Sequence, residues 1–244
     1  MRCACAHCDA EFDAEPEMGH RLLCGDSTIA VDVALALGTA EPTLCLTDPP
    51  YGIGDTQSTK NEYVSHDDTA ANLDRLIAGF LPLARDACGL VVLTPGNVNQ
   101  RRYPAPTWTM AWFTPAGSGS GPWGFCCWQP VMCFGKDPKL AKGKGRAPDA
   151  IVHTETSEKN GHPCPKPIKF WSWLVERTSE PGAVIYDPFS GSGTTIIAAE
   201  ATGRRACAIE IAPEYADIAV RRWQNYTGRE AVRESDGCQF GDAA

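Results

Sequence analysis

The chain has 244 residues, of which 43% are hydrophobic and 21% charged, a composition that is typical of globular proteins and excludes a disordered one. Its net charge of −8 is the wrong sign for a protein that coats itself onto nucleic acid, so any such contact must come from a local patch. No signal peptide and no apolar run of membrane-spanning length is recognisable, which predicts a cytoplasmic protein without a membrane partner.

From Arg21 onwards, short β-like runs alternate with helical stretches, a pattern that predicts an α/β fold with a mostly parallel sheet. The seven predicted strands are 21–24, 43–47, 89–94, 107–113, 128–134, 183–186 and 206–211. The predicted helices are 70–87, 167–178, 196–201 and 213–223. Segments 52–62 and 135–161 are predicted loops, and 114–122 is predicted to connect a β-hairpin.

A glycine-rich turn follows the predicted strand 183–186, with the sequence Asp187-Pro188-Phe189-Ser190-Gly191-Ser192-Gly193. Such glycines let the backbone approach a ligand closely, with a helix N-terminus pointing at it. Glu210 lies near the end of the next predicted strand, where dinucleotide folds place an acid that binds ribose hydroxyls. An acid precedes the turn and no basic residue lies in it, so we expect a nucleoside with a cationic group rather than a polyphosphate. A plain strand–helix turn is the alternative.

A second motif, Asp48-Pro49-Pro50-Tyr51, ends the predicted strand 43–47. Two prolines remove two N–H donors and leave carbonyl groups free to accept hydrogen bonds. One carboxylate and one carbonyl can hold both hydrogens of a planar amine, and a following aromatic ring can stack on the ring that carries it. The alternative is a rigid turn with a surface aspartate.

These two motifs together resemble those of the S-adenosylmethionine-dependent DNA amino-methyltransferases, as does the segment Gly161-His162-Pro163-Cys164-Pro165-Lys166-Pro167. The catalytic motif precedes the cofactor motif, an order similar to that of the beta class of the family. The resemblance implies a Rossmann-like, seven-stranded sheet with helices on both faces and a circularly permuted motif order. It also implies S-adenosylmethionine as cofactor, DNA as partner and, as in many beta-class relatives, a homodimer.

The resemblance further implies roles for individual residues. Asp48 and the Pro49 carbonyl would hold the amine of a flipped-out base, with Pro50 shaping the turn and Tyr51 stacking on the base. The methyl group would move by direct displacement. The cofactor-binding residues would be Asp26, Asp187, Phe189, Ser190, Gly191, Gly193, Thr194, Glu210, His162 and Lys166. Cys164-Pro165 stands where the family usually has Thr-Gln, so the segment departs from the family pattern at these two positions.

A basic stretch lies in the predicted loop 135–161 and is the candidate DNA-binding segment. Its cations are Lys136, Lys139, Lys142, Lys144 and Arg146. A solvated loop is the alternative interpretation. Residues 136–160, with parts of 96–125, would select the target sequence within a methyltransferase domain of residues 20–228. Residues 229–244 would then form a flexible tail.

The N-terminal segment 1–19 is rich in cysteine, and Cys3, Cys5 and Cys8 resemble half of a zinc ribbon. A structural zinc site needs four ligands, usually as two separated pairs, and no second pair follows. We therefore expect no metal, with a partial zinc knuckle as the alternative.

Asp in the first position of the catalytic motif favours the N6 amine of adenine as the acceptor. The N4 amine of cytosine is the nearest alternative. An enzyme that methylates RNA or a protein amide is disfavoured by the motif order, and a silent nucleic-acid-binding relic is disfavoured because both motifs are intact. Restriction partnership, phage origin and housekeeping methylation are equally open.

Overall fold

The computed structural model describes residues 2–5, 19–52, 70–115, 117, 119–153 and 166–241. Its main sheet has the strand order β12-β1-β2-β11-β10-β3-β4-β8-β5-β9. All neighbouring pairs are parallel except those of β8, which is antiparallel to both β4 and β5. The predicted α/β Rossmann-like fold is confirmed, and the seven predicted strands form the continuous block from β2 to β5.

The strands are β1 Arg2–Cys5, β2 Arg21–Cys24, β3 Leu44–Thr47, β4 Leu90–Leu93, β5 Trp108–Phe113, β6 Ser120–Gly121, β7 Gly124–Phe125, β8 Trp128–Gly135, β9 Ala150–Val152, β10 Val184–Asp187, β11 Arg205–Glu210 and β12 Val232–Arg233. The helices are α1 Ala30–Leu37, α2 Ala70–Ala87, α3 Gly96–Asn99, α4 Pro138–Ala141, α5 Ile168–Thr178, α6 Thr194–Ala201 and α7 Pro213–Thr227. A 3-10 turn, Gln100–Arg102, follows α3, and β6 and β7 form a separate two-stranded sheet. Among the described helices, none is both long and apolar enough to cross a membrane.

Helices cover both faces of the sheet. Successive residues of a strand point to opposite faces, and apolar side chains on each face pack against a layer of helices. Leu44 and Leu46 of β3 lie in one apolar cluster with α5, α6 and α7, whereas Cys45 lies in a second cluster with α1 and α2. The strands in the middle of the sheet are buried on both faces, and every residue of β3, β4 and β10 is buried. Such continuous burial is typical of parallel strands between two helical layers.

The structure adds elements that the sequence analysis did not predict. The helix α1 was missed because Val31, Val33 and Leu35 alternate like a strand, and two of these three side chains are exposed. The segment 135–161, predicted as a loop, contains α4 and β9. Residues 229–241 also differ from the flexible tail that the sequence suggested: Ala231 is fully buried, and β12 pairs with β1.

A topological switch point lies between β10 and β3. The connection that leaves β10 runs through α6, on one face, to β11, whereas the connection that leaves β3 leads through α2, on the other face, to β4. The diverging connections leave a crevice outside the carboxyl ends of these two strands, where open α/β sheets bind ligands. We call this side of the sheet the catalytic edge, because Asp187 ends β10 and Asp48 directly follows β3.

Candidate active site

The two sequence motifs meet at the catalytic edge. Strands β3 and β10 are direct neighbours, with Tyr186 paired to Cys45. The Thr47 hydroxyl donates a 2.6 Å hydrogen bond to Oδ1 of Asp187, so the residue before Asp48 is bound to the first residue of the glycine motif. Two loops about 140 residues apart in sequence thus share one crevice.

Both carboxylate oxygens of Asp48 have partners. Oδ1 accepts hydrogen bonds from the hydroxyls of Tyr51, at 2.8 Å, and of Thr94, at 2.5 Å. Oδ2 lies 2.5 Å from the ammonium nitrogen of Lys166. Thr94 directly follows β4, the neighbour of β3, so its hydroxyl reaches the same edge of the sheet.

Lys166 contacts the carboxylate of Asp48. Its side chain is buried, its Nζ atom also donates to the Tyr51 hydroxyl at 2.6 Å, and it lies 5.1 Å from the centre of the Tyr51 ring. The resemblance assigned Lys166 to the cofactor, and Lys166 does line the same pocket as the glycine motif. Its direct partners among the described residues are nevertheless those of the catalytic motif.

The diproline turn holds Tyr51 against α3. Pro49 is buried and Pro50 is exposed. The Tyr51 carbonyl accepts a 2.6 Å hydrogen bond from the side-chain amide of Asn99, and the Tyr51 ring packs beside Gly96, where an added Cβ atom would lie 3.3 Å from the ring. The aromatic side chain is therefore fixed from both sides, by Lys166 and by α3.

The glycine turn has the backbone conformation that its sequence predicts. Gly191 and Gly193 have φ angles of 51° and 78°, in the left-handed region that favours glycine, and Gly193 caps the N-terminus of α6. Arg222 of α7 holds the turn from behind, because its Nη1 atom donates to the Ser192 carbonyl and to the Thr194 hydroxyl, both at 3.2 Å.

Asp187 is buried and satisfied by three donors. These are the Thr47 hydroxyl, the Phe189 N–H at 3.0 Å and the Thr195 hydroxyl at 2.5 Å. Burial is the largest influence on this carboxyl group and raises its pKa to about 6, although the hydrogen bonds act in the opposite direction. Thr195 in turn accepts a 2.7 Å hydrogen bond from the Trp171 indole, which links α5 to the motif.

Glu210 and Asp26 lie further along the same edge, at the ends of β11 and β2. Glu210 is buried, and its carboxylate accepts hydrogen bonds from the N–H groups of Gly191, at 2.7 Å, and Ala212, at 2.9 Å. Burial raises the pKa of Glu210. Asp26 accepts from both the N–H and the hydroxyl of Thr28, which places its carboxylate in the turn that leads into α1.

One pocket contains residues of both motifs. Its lining residues are Asp48, Lys166, Trp171, Asp187, Phe189, Ser190, Gly191, Ser192, Thr194 and Thr195. The Ser190 hydroxyl is buried, and no described residue hydrogen-bonds to it. Phe189 packs edge-to-face on Phe80 of α2, with ring centres 4.8 Å apart.

The basic segment lies at the other edge of the sheet. Strand β8 is antiparallel to β4, and its last residue, Gly135, pairs with Leu90 at the beginning of β4. Lys136 therefore emerges opposite to the catalytic edge, and Lys144 pairs with Glu180 at 2.6 Å, shortly before β10. The sequence could not reveal this placement, because it depends on the direction of β8. Lys136, Lys139, Lys142, Lys144 and Arg146 are not brought together with Asp48.

Two further predictions concern residues outside the part of the chain that the structure describes. They are the cofactor contact of His162 and the partial zinc knuckle formed by the side chains of Cys3, Cys5 and Cys8. Among the described residues, no group of three or more histidine, cysteine, aspartate or glutamate side chains could hold a metal ion.

Thr94, Asn99 and Thr195 are site residues that the sequence analysis missed. Thr94 and Thr195 each bind one of the two aspartates, and Asn99 fixes Tyr51. The signal for Thr94 was its position, since it is a polar residue directly after a buried strand that neighbours β3. No comparable signal marks Asn99, because its contact depends on how α3 packs.

Known proteins share parts of this chain. The type II methyltransferase M.ScaI from Streptomyces caespitosus is 36% identical over 85 residues, which are 35% of this chain and 25% of that protein. The DNA adenine methyltransferase YhdJ from Escherichia coli K12 is 40% identical over 65 residues, which are 27% of this chain and 22% of YhdJ. The chain thus spans about a quarter or less of the length of these two relatives.

Solved structures share the fold over most of the chain. The cytosine-N4-specific PvuII DNA methyltransferase has a TM-score of 0.58 at 16% identity and covers 84% of this chain and 86% of its own. The M1.HpyAVI complex with S-adenosylmethionine has a TM-score of 0.59 at 18% identity and covers 83% and 98%. The family model N6_N4_Mtase, described as DNA methylase, matches residues 100–221, half of the 244 residues. The chain belongs to this family of DNA methylases.

Proposed function

We propose that this chain transfers a methyl group from S-adenosylmethionine to the exocyclic N6 amine of adenine in DNA. The observation that carries the proposal is the pocket that contains both Asp48 of the catalytic motif and the glycine turn from Phe189 to Thr194. A carboxylate for an amine and a backbone cradle for a nucleoside are the two parts that this transfer requires.

The residues of the pocket fit S-adenosylmethionine. Asp187 and Asp48 place two carboxylates against the one ammonium of Lys166, so a net negative charge is left for a cationic ligand. Phe189 and Trp171 supply apolar surface. The buried Ser190 hydroxyl offers a hydrogen bond that no described residue uses, and the positive φ of Gly191 and Gly193 keeps the backbone open to a ligand. When bound, this cofactor supplies a methyl group on a sulfonium. Asp26, Glu210 and His162 stay proposed contacts to it.

Asp48 and Tyr51 would act on the acceptor. A base within a duplex cannot reach the crevice, so it must leave the stack. Asp48 and the Pro49 carbonyl would then hold the amine, and the carboxylate would stabilise the positive charge that grows on nitrogen while the N–CH3 bond forms. The S–CH3 bond of the cofactor would break in the same step, with the neutral thioether as leaving group, and the methylated nitrogen would lose its excess proton to Asp48 or to water. Tyr51 supports the base. Lys166 must release Oδ2 of Asp48 to the incoming amine, and it keeps its hydrogen bond to the Tyr51 hydroxyl, so it still orients the motif. Most of the rate comes from positioning, since no covalent intermediate with the protein is needed.

Adenine is the proposed acceptor because Asp occupies the first position of the catalytic motif. The adenine specificity in the name of YhdJ agrees with this assignment. Cytosine N4 is the second candidate, and the name of the PvuII enzyme, which shares the fold, favours it. Transfer to RNA or to a protein amide ranks below both because of the motif order.

We further propose that residues 20–228 are the methyltransferase domain and that the chain acts on DNA in the cytoplasm. Of the target-recognition insertion 136–160 that the sequence predicts, we propose DNA contact for the part that follows β9, because β9 is parallel to β5 and leads to the catalytic edge, whereas 136–146 lies at the opposite edge. The homodimer stays a prediction that sedimentation can test.

The experiment is transfer of an isotopically labelled methyl group to unmethylated DNA, followed by digestion to nucleosides and mass analysis. We expect labelled N6-methyladenine from the wild-type protein and none from Asp48→Ala, which should still bind the cofactor. N4-methylcytosine would reassign the acceptor. Label in RNA or protein but not in DNA would refute the proposed substrate, and near-normal turnover by Asp48→Ala would refute the role of Asp48.

A further inference from the structure

The hairpin formed by β5 and β8 extends beyond the catalytic edge. Leu93, the last residue of β4, pairs with Met132, yet β8 begins four residues earlier, at Trp128. Trp128 pairs with Phe113, and the small sheet of β6 and β7 lies between them in the chain. Because β4 leads directly to Thr94 and hence to Asp48, the end of this hairpin projects on the side of the pocket.

Large aromatic side chains at this end are exposed. Gly121 pairs with Gly124, which leaves Pro122 and Trp123 as the two-residue turn. Trp123 is fully exposed, at 102%, and Phe125 is 81% exposed. Phe113 and Trp128 lie opposite each other at the base of this turn and are about two-fifths exposed, at 42% and 41%. Several exposed aromatic rings on one projection indicate a binding surface. We call Trp123 and Phe125 the aromatic tip.

The composition of the hairpin is compatible with nucleic acid as its partner. Residues 103–135 contain no charged side chain, although the whole chain carries a net charge of −8. The hairpin itself therefore places no carboxylate against the phosphates of a duplex. Arg101, exposed on the 3-10 turn after α3, is also available on this edge for a phosphate.

The hairpin is joined to the catalytic motif through α3. The side-chain amide of Asn97 donates a 2.9 Å hydrogen bond to the Trp128 carbonyl, and Gly96 of the same helix packs against the Tyr51 ring. Asn99 then holds the Tyr51 carbonyl. One short helix, α3, therefore contacts both the base of the hairpin and Tyr51.

We propose that the aromatic tip is a wedge that stacks against the bases beside the flipped-out target. The proposal rests on the proposed function, because it assumes that the target base leaves the duplex. Removing a base from the stack exposes its neighbours, and inserted apolar side chains can cover them. Trp123 and Phe125 are exposed rings on the side of the catalytic edge, on an uncharged projection whose base is hydrogen-bonded to α3.

A DNA duplex with one abasic position tests the wedge independently of methyl transfer and of the target sequence. The double variant Trp123→Ala/Phe125→Ala is compared with Trp108→Ala, a control that removes a 60% exposed tryptophan from the opposite end of β5. Affinity is measured by the anisotropy of the labelled duplex. Stacking on one base is worth about 5- to 160-fold in affinity. We expect the wild type and the control to prefer the abasic duplex over the intact one by about tenfold, and the double variant to have lost this preference.

Methyl transfer provides the second measurement. On double-stranded DNA the double variant should be at least about tenfold slower than the wild type, whereas on the same DNA after denaturation the two should differ by less than about twofold. Unchanged duplex activity, an equal loss on both forms, or an abasic preference that survives in the double variant would overturn the wedge. The wedge would also be overturned if the wild type is a dimer and the double variant a monomer, because the aromatic tip would then bind a second copy of the chain. If the wild type methylates no DNA, the proposed function fails, and the abasic preference still decides on the wedge.

Discussion

At the scale of single residues, the most informative contact is the ion pair between Lys166 and Asp48. The sequence predicted both residues as site residues, but it could not predict that they touch, because no periodicity relates positions 118 apart. The ammonium satisfies Oδ2 of Asp48 and also binds the Tyr51 hydroxyl. Lys166 is thus a positioning residue that orients both members of the catalytic motif.

Replacing Lys166 with methionine tests this role. The variant keeps the length of the side chain but leaves a carboxylate without its cation, so Asp48 and Tyr51 should lose their alignment. We expect kcat to fall by about 100-fold, which is the usual consequence of misplacing a reacting group by about 1 Å. Cofactor affinity, measured by calorimetry, should change less than about threefold, and Lys166→Arg should recover part of the rate. A large loss of cofactor affinity at unchanged kcat would instead support the contact to the cofactor that the resemblance implied.

Asp187 gives a prediction about pH. Its pKa in the folded protein, about 6, is higher than its ordinary value of 3.8, so the folded state binds this proton more tightly than the unfolded state does. The contribution to stability is therefore complete below about pH 4 and is lost as the pH rises through 6. Asp187→Asn cannot ionise, and its free energy of unfolding relative to wild type should rise by up to about 3 kcal/mol between pH 4 and pH 7. Urea unfolding at several pH values measures this difference, and a difference independent of pH would contradict the assignment.

At the scale of elements, the sequence predicted those that carry a strong local pattern. The bounds of α2 agree at both ends because its apolar residues recur at helical spacing, and β2 agrees because a buried run is followed by Gly25. The strands β1, β9 and β12 were missed because two to four residues carry no periodicity and become strands only by pairing with a neighbour. For the same reason, the glycine turn was predictable from its residues, whereas the support that Arg222 gives it was not.

Replacing Gly193 with alanine tests the glycine turn. An added Cβ atom would lie 2.8 Å from the Cβ atom of Ala219, and the φ of 78° is unfavourable for alanine. Gly203→Ala is the matched control, because its φ of 67° carries the same backbone cost while nothing lies within 4 Å of the added atom. We expect Gly203→Ala to lose about 1 kcal/mol of stability and Gly193→Ala to lose more and also to bind the cofactor at least about tenfold more weakly. Equal effects of the two substitutions would show that the close approach to α7 is unimportant.

At the scale of the whole molecule, the sheet separates two surfaces that the sequence could not tell apart. The basic segment and the aromatic tip are both attached to β8, but they leave it at opposite ends. The sequence marked the basic segment as the DNA-binding candidate by its charge, while the uncharged hairpin carried no electrostatic signal. Only the antiparallel direction of β8 shows which of the two lies on the catalytic edge.

The joint substitution Lys136→Gln/Lys139→Gln/Lys142→Gln tests this separation. Since these cations lie at the edge opposite to the pocket, we expect the affinity for duplex DNA at moderate salt to change less than about twofold, whereas the loss of three phosphate contacts would cost far more. Arg101→Gln, at the catalytic edge, is the comparison and should weaken binding. A large, salt-dependent loss in the triple variant would restore the basic segment as a DNA-binding surface.

The ion pair between Lys166 and Asp48 also bears on which amines can be methylated at all. Polyamines and lysines are mostly ammonium ions near neutral pH, and a carboxylate without a partner beside the donor pocket would attract them. Their small neutral fraction could then react with the methyl donor. Here the Lys166 ammonium already binds Oδ2 of Asp48, so a small free amine would have to displace a side chain of the same protein. A target base that is part of a DNA duplex gains additional binding free energy from contacts between the protein and the rest of the DNA. A small free amine has no such contacts and cannot compete with Lys166 in this way.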